Sequence, residues 1–160
     1  MIFITLGTQD KPFTRLLDKV ESLLKEKKIK TRVVVQAGCT KYKSKYMEIF
    51  ELLPMDEFEK MMDSCDILIT HGGVGSIVTG LKKNKKVLAV ARLKKYGEHT
   101  NDHQLQIIEE FSKKGYILPV NDLDDLENIL NQVDKFKPKK YKSNTDHMVK
   151  IVEEQIEKLY

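Results

Sequence analysis

Short apolar runs rich in β-branched residues alternate along this chain with segments whose apolar residues recur every three or four positions. The runs cover Ile2–Leu6, Thr31–Gln36, Cys65–Thr70, Val87–Ala91 and Tyr116–Val120. Their length, with Val33-Val34-Val35 and Ile67-Leu68-Ile69 at two of the centres, predicts strands buried on both faces. A weaker alternation sets Met47, Ile49 and Leu53 against Glu48 and Glu51, which predicts one more strand over Met47–Leu53, ended by Pro54.

Helical patterns fall between the runs. Phe13, Leu16, Leu17, Val20, Leu23 and Leu24 make one stripe, with Pro12 suited to the first turn. Asp56 is placed to cap a helix carrying Phe58, Met61, Met62 and Cys65 on one side. A brief helix follows the glycine-rich stretch at 72–75, weakened by Gly80 and closed by Asn84 as a left-handed residue. Asn101 to Gln104 opens a helix with Leu105, Ile108 and Phe111 inside and Gly115 at its end. Asp122 starts another with Leu123, Leu126, Ile129 and Leu130, and Thr145–Tyr160 carries Met148, Val149, Val152, Ile156 and Leu159 on a final stripe. Strands and helices alternating in this way predict an α/β fold, a doubly wound, Rossmann-like parallel sheet whose ligands gather at the carboxyl ends of the strands. The expected units are a domain over residues 1–133, a lysine-rich linker over 134–144 and a C-terminal amphipathic helix over 145–160 that packs on the domain or on a partner.

Composition narrows the class. A chain of 160 residues, 41% hydrophobic and 32% charged, fits one globular domain. No apolar run reaches the length of a membrane span and the first residues lack the pattern of a secretory signal, so a cytoplasmic location is expected. Cys39 and Cys65 are too isolated for a disulfide framework or a zinc site and read as reduced, structural thiols. The net charge of +4 gathers in two groups, Lys82 to Lys95 and Lys135 to Lys142, which suit either solvated loops or an anionic surface or ligand. Aromatic residues are not interleaved with these lysines in a stacking pattern, which disfavours nucleic acid.

The chemistry concentrates at turns. The first strand runs into Gly7-Thr8-Gln9-Asp10, and Thr70 is followed by His71-Gly72-Gly73-Val74-Gly75-Ser76 and a helix start. A strand, a glycine-rich loop and a helix N-terminus in that order suit an anion, because the backbone can approach closely and first-turn N–H groups lie at the positive end of a dipole. The spacing is neither Gly-x-Gly-x-x-Gly nor a P-loop. Taken alone, the stretch is either a phosphate cradle or a plain strand-to-helix turn in which His71 satisfies a carbonyl. A β-branched residue at Gly73 is expected to block backbone approach while leaving the fold. A third segment, Tyr96-Gly97-Glu98-His99-Thr100-Asn101-Asp102-His103-Gln104, gathers titratable and amide side chains, and Gln104 also stands at capping-box spacing from Asn101.

Together these segments resemble the donor-binding half of the MurG-type glycosyltransferases, the family 28 C-terminal domain. The likeness runs from Ile2 to about Leu130 and is greatest to the small bipartite members, in which the donor domain is a separate chain working with a membrane-attached partner. Such members include the dolichol-pathway N-acetylglucosaminyltransferase and bacterial capsular or exopolysaccharide transferases. The resemblance implies the C-terminal, donor half of a GT-B fold. It implies that Gly7, Thr8, Gln9, His71, Gly72, Gly73, Gly75 and Ser76 surround the donor diphosphate, and that Gln104 bonds the donor sugar. Thr79 stands where many relatives carry a glutamate that grips the ribose; Glu98 is the expected substitute, with Asp102 as a further ribose or sugar contact. No catalytic residue is assigned on this chain, and His99 and His103 are the candidates for a general base. No metal or other cofactor is expected beyond the UDP-sugar itself, since preorganised N–H groups can bear the developing charge.

The implied activity is inverting transfer of a hexose from a UDP-sugar to a lipid-linked acceptor in capsular or exopolysaccharide synthesis. The partners implied are a membrane-anchored, acceptor-binding subunit, which recruits the chain to the inner face of the membrane, the UDP-sugar and the lipid-linked saccharide. Galactose, glucuronate and N-acetylglucosamine all remain open as the sugar. The alternative is a non-catalytic nucleotide-sugar-binding or regulatory module, suggested by Thr79. An epimerase-like enzyme would need a second domain.

Overall fold

Strands that are apolar on both faces must be covered on both, and the chain does this by returning through a helix after every strand but the second, which leads directly to the third, an edge strand. The computed structural model describes residues 1–141. In it, β1 (Ile2–Thr5), β2 (Val33–Gln36), β3 (Glu48–Phe50), β4 (Ile67–His71), β5 (Lys86–Val90) and β6 (Leu118–Pro119) form one sheet in the order β3-β2-β1-β4-β5-β6. Every pairing is parallel, and Ile4 of the central β1 lies opposite Val35 on one side and Ile69 on the other. The helices are α1 (Thr14–Lys25), α2 (Met55–Ser64), α3 (Val74–Lys82), α4 (His103–Lys113) and α5 (Leu126–Gln132).

The two sheet faces carry separate cores. Ile2, Ile4 and Leu6 pack with Leu16, Leu17 and Val20 of α1 and Leu126 of α5. Phe3, Leu68 and Val87 pack with Met62 of α2, Ile77 of α3 and Phe111 of α4. The strand order therefore reverses between β1 and β4, whose outgoing loops lead to helices on opposite faces. A crevice opens at such a switch point, at the carboxyl ends of the strands. Beneath it Thr5, the last residue of β1, joins Thr70, the residue before the end of β4, with Thr5 Oγ1 donating to Thr70 Oγ1 at 2.9 Å.

Several local expectations are corrected. Pro12 lies outside α1, whose N-cap position is held by Phe13, and the Phe13 N–H donates to Thr40 Oγ1. α2 begins at Met55 with Pro54 before it, so Asp56 is not the cap but sits with Glu57 in the first turn, where a carboxylate complements the dipole. The buried face of α4 is Gln104, Ile107, Ile108 and Phe111, while Leu105 is 42% exposed. β6 is only two residues long because Pro119 has no N–H to donate, which an edge strand tolerates. β3, at the other edge, keeps only Glu48–Phe50 of the predicted run.

Cys65 is buried and donates to the Met62 carbonyl, but Cys39 is exposed in a loop and does not pack. Lys83 bonds Asp63 and Glu59, Lys85 bonds the Asp63 carbonyl and Lys86 the Val133 carbonyl, so these three are held by their own chain rather than offered to an anionic surface. Part of the predicted linker also packs on the domain: Lys139 N donates to the Gly115 carbonyl, and the Tyr141 ring lies 5.5 Å from that of Tyr116. The predicted helix over 145–160 lies outside the described residues. Among the described residues no helix is long and apolar enough to cross a membrane.

Asn84 takes φ +59°, as expected of a left-handed terminator. Gly80 proves to be a close contact rather than a weak point, because a Cβ there would stand 2.7 Å from Leu68 Cδ2 and 2.9 Å from Val87 Cγ2. Helix propensity favours Gly80→Ala by about 1 kcal/mol, whereas overpacking against β4 and β5 opposes it by about 1–3 kcal/mol. Urea unfolding of Gly80→Ala should therefore show net destabilisation, and a variant as stable as the parent would contradict this packing.

Candidate functional site

The loops leaving β1 and β4 meet over the crevice. Gly7 takes φ +79°, and a Cβ there would stand 2.6 Å from Nε2 of His71. A Cβ on Gly73 would stand 2.7 Å from the same atom. The imidazole edge of His71, the last residue of β4, thus fills the gap between the two loops. Gly7 and Gly73 are glycines because this ring leaves them no room.

His71 is held from behind by α4. Gln104 Oε1 accepts from the Gly72 N–H at 2.9 Å and from the Arg92 N–H at 3.0 Å. Two donors on one atom fix the orientation of the amide, so Gln104 Nε2 is the group that faces His71 Nδ1, at 3.1 Å, and donates to it. With Nδ1 accepting, the ring proton resides on Nε2, the atom directed toward Gly7 and Gly73. Burial, and then the nearby charge of Arg92, push the His71 pKa down to about 3. At neutral pH the site therefore contains an uncharged imidazole with its N–H aimed between two loops.

The helix after the loop adds donors. Gly73 occupies the N-cap position of α3 and offers no side-chain cap, so the N–H groups of Val74, Gly75 and Ser76 lie in an uncapped first turn at the positive end of the helix dipole. Gly75 is exposed, and a Cβ there would meet nothing within 4 Å. A side chain at Gly73 would instead strike His71, and one at Gly72 would stand 2.6 Å from Gln104 Cβ. The expectation that Gly73 can be substituted while the fold is left intact is therefore corrected, and Gly75 is the position that tests backbone approach.

The remaining sequence-derived residues fall into two groups. Thr8, exposed, and Gln9, half-buried, sit on the loop after β1, and Ser76 is half-buried on α3, so these stay at the rim of the crevice. Thr79 Oγ1 donates to the Gly75 carbonyl at 2.8 Å, one turn back in its own helix. Glu98 is 3% exposed, and its two oxygens accept from Arg15 Nε and Nη2, each at 3.1 Å, and from the Leu93 N–H. The structure thus places Glu98 as a buried ion-pair partner, not as a carboxylate presented to a ribose. Asp102 is exposed and accepts from the Lys94 N–H. His99 is buried, its Nδ1 accepts from the Asn101 N–H, and burial followed by the Arg92 charge lowers its pKa. His103 is half-buried with Nδ1 3.3 Å from Gln106 Oε1. Asn101 Oδ1 accepts from the His103 N–H and Gln104 points inward, so the capping box does not form.

Arg92 is the residue that sequence reasoning missed. It is 1% exposed, and its guanidinium donates to the carbonyls of Leu6, Lys11 and Glu98, tying both ends of the loop after β1 to the loop after β5. The signal in the sequence is a cation placed directly after an apolar strand run. A cavity of about 370 Å³ lined by Gly38, Cys39, Thr40, Lys41 and Tyr42 opens at the carboxyl end of β2. It adjoins the Gly7 carbonyl, which lies 2.7 Å from where a Cβ on Gly38 would stand. A larger hollow of about 460 Å³, with Met1, Lys28, Asp66 and Asp134 in its wall, lies at the amino ends of the strands, away from these loops. Among the described residues no group of three His, Cys, Asp or Glu side chains is placed to hold a metal ion.

Comparison with known proteins bears on this geometry. The family model described as glycosyltransferase family 28 C-terminal domain matches residues 1–159. UDP-N-acetylglucosamine transferase subunit ALG13 of Candida albicans is 26% identical over 112 residues, covering 70% of this chain and 36% of that protein. The Candida glabrata protein of the same name is 41% identical over 58 residues, covering 35% of this chain and 26% of that one. The chain thus spans about a third or less of these curated relatives. Among solved structures, the solution structure of ALG13 superposes with a TM-score of 0.61 at 18% identity, covering 92% of this chain and 94% of that one. Acinetobacter baumannii MurG superposes with a TM-score of 0.56 at 13% identity, covering 94% of this chain and 49% of that one. At such identities the superpositions establish the fold, a parallel α/β domain of GT-B type.

The buried imidazole has a consequence for stability. Below pH about 6.5 the unfolded chain protonates His71, while the folded chain does not until about pH 3, so stability falls as pH drops through this window. At about 1.4 kcal/mol per pH unit, this group alone should make the protein about 2 kcal/mol less stable at pH 5 than at pH 7. Chemical unfolding at the two pH values measures the difference, and His71→Asn should remove that part of it. An identical pH slope in the variant would contradict the neutral, buried imidazole.

Proposed function

Because the chain belongs to the glycosyltransferase family 28 C-terminal domain family, we propose that it is the donor-binding, catalytic subunit of a two-chain inverting transferase that uses a UDP-sugar. The observation that carries this reading is the meeting of the loops after β1 and β4 at the switch point, with His71 Nε2 set between Gly7 and Gly73 and the uncapped first turn of α3 following directly after Gly73. N–H groups so arranged suit a diphosphate. The curated relatives are named as subunits of a UDP-N-acetylglucosamine transferase, which supports a second chain and favours N-acetylglucosamine among the sugars left open. Nothing in those names supports the capsular or exopolysaccharide setting. A lipid-linked acceptor and a membrane-attached partner are the parts of the reading that rest on the resemblance of the three loop segments.

In the proposed reaction the acceptor hydroxyl oxygen bonds to the anomeric carbon as the bond from that carbon to the β-phosphate oxygen breaks. The electron pair of the broken bond stays on the phosphate, and the hydroxyl proton goes to a general base. The crevice supplies N–H donors where the phosphate gains charge. The partner supplies the acceptor site and the base, since His99 is buried with its Nδ1 engaged, and His103, the first residue of α4, has its Nδ1 beside Gln106 Oε1. Gln104 serves the site by fixing His71 rather than by reaching the sugar, with Oε1 on two backbone N–H groups and Nε2 on the imidazole. A second reading, a nucleotide-sugar module without catalysis, draws on Thr79 being bonded to its own helix and Glu98 to Arg15, which leaves neither presented to a ribose.

Three outcomes are expected. Calorimetric titration should show UDP binding to the chain alone, and Gly75→Val should weaken it about tenfold or more without lowering the melting temperature, since the new side chain meets ligand and not protein. Unchanged binding would remove the α3 N-terminus from the site. Gln104→Ala should weaken UDP and UDP-N-acetylglucosamine alike, by about tenfold, through loss of His71 orientation. A loss confined to the sugar nucleotide would instead make Gln104 a direct sugar contact. Co-expressed with its membrane partner, the chain should transfer N-acetylglucosamine to a lipid fraction. Full-rate transfer by the chain alone would contradict the two-chain reading, and binding without turnover beside the partner would favour the module.

A further inference from the structure

Three charged side chains lie behind the crevice, and they do not cancel. Glu98 is engaged side-on by Arg15, both oxygens accepting from the guanidinium at 3.1 Å. Arg92, although its chain also passes beside Glu98, donates only to backbone carbonyls: Leu6 through Nε at 3.2 Å and also through Nη2, Lys11 through Nη1 at 2.7 Å, and Glu98 through Nη1 at 3.1 Å. The guanidinium is among the largest fully buried side chains, stacked over the Phe13 ring with 5.1 Å between its carbon and the ring centroid. Two arginines thus share one carboxylate, and the surplus positive charge is the one sealed under the loop that begins at Gly7. A buried cation that hydrogen-bonds only neutral carbonyls, and shares the one nearby carboxylate with Arg15, is incompletely compensated for a residue that only holds a fold together.

We propose that Arg92 supplies the buried positive charge that holds the diphosphate of the donor at the crevice between β1 and β4. The inference rests on the donor-site reading above and adds the source of the counter-charge. Leu6 and Lys11, whose carbonyls Arg92 grips, bracket the loop at 7–10, so the charge lies beneath the backbone that faces the ligand. Its field reaches the cradle, because the same cation depresses the titration of His71, whose ring edge touches the space between Gly7 and Gly73. A field that opposes a proton on His71 favours an anion beside it, and in a water-poor site that effect is strong. When the bond to the anomeric carbon breaks and its electron pair passes to the phosphate oxygen, the charge facing Arg92 grows. The attraction is therefore larger for the departing diphosphate than for the intact donor. Arg15 has a defined part: its guanidinium takes both Glu98 oxygens, so the Glu98 charge that acts on Arg92 is already shared with a second cation.

The test compares a charged with an uncharged ligand, UDP by calorimetry and uridine by chemical-shift titration, on the parent chain and on Arg92→Met, Arg92→Lys and Arg15→Met. Arg92→Met should weaken UDP by about tenfold or more and uridine by less than about threefold, because only the phosphates feel the charge. Arg92→Lys, which keeps the charge and loses the fork, should retain most of the preference for UDP over uridine. Arg15→Met should shift that preference in the same direction as Arg92→Met, and it keeps the question decidable if Arg92→Met fails to fold, since Arg15 is half-buried, at 26% exposure, and Glu98 is left beside Arg92 as its counter-charge. Parallel weakening of UDP and uridine in the variants that fold would overturn the proposal and leave Arg92 as a loop brace. A parent chain that binds neither ligand would instead overturn the donor-site reading on which the proposal stands.

Discussion

The amide of Gln104 is the connection on which the arrangement at the switch point depends. Its oxygen joins the N–H groups that follow β4 and β5, and its nitrogen reaches the ring of His71. Two segments distant in sequence, at 71–72 and at Arg92, are thereby brought to one point on the buried face of α4. A side chain that accepts two backbone N–H groups and donates to a ring nitrogen is nearly satisfied in a dry interior, whereas an apolar residue of the same size would leave those N–H groups unpaired. The tautomer of His71 follows from that amide, and the glycines at 7 and 73 follow from the position of the His71 ring.

Around this knot the fold separates two tasks. The sheet and its two apolar layers set where the crevice is, through the reversal of strand order between β1 and β4. The polar side chains behind it set the charge and the donors that border the crevice. His71 offers a ring N–H without carrying charge, Arg92 carries charge without reaching the surface, and Arg15 answers Glu98. The division suits an anionic ligand, because a charged imidazole next to a buried guanidinium would repel it, while a neutral one lets both groups face the same anion.

The sequence made much of the sheet legible and little of the wiring. The β-branched runs announced the buried strands, and the glycine-rich turn after Thr70 announced a loop at a strand end, because both signals are local. The register of α4 was not legible. Leu105, Ile108 and Phe111 form a plausible apolar face, yet the helix turns so that polar Gln104 is inside and Leu105 is out, at 42% exposure. The reason is that Gln104 finds its partners on Gly72, Arg92 and His71, from elements that hydropathy along α4 does not report. Arg92 was hidden for the same reason among the lysines that follow it, since its burial depends on carbonyls of Leu6 and Lys11, more than eighty residues away. The glycines were visible as a group, but only packing shows that Gly73 makes room for His71 while Gly75 faces open space.

The measurement that reaches the central claim most directly is a two-dimensional amide NMR titration of the isotopically labelled chain with UDP. The account predicts that the largest shifts fall on Gly7 to Gln9 and Gly72 to Ser76, with the side-chain amide of Gln104 moving alongside them. Shifts centred instead on Met1, Lys28 and Asp66, at the amino ends of the strands, or no shifts at millimolar UDP, would contradict a donor site at the switch point.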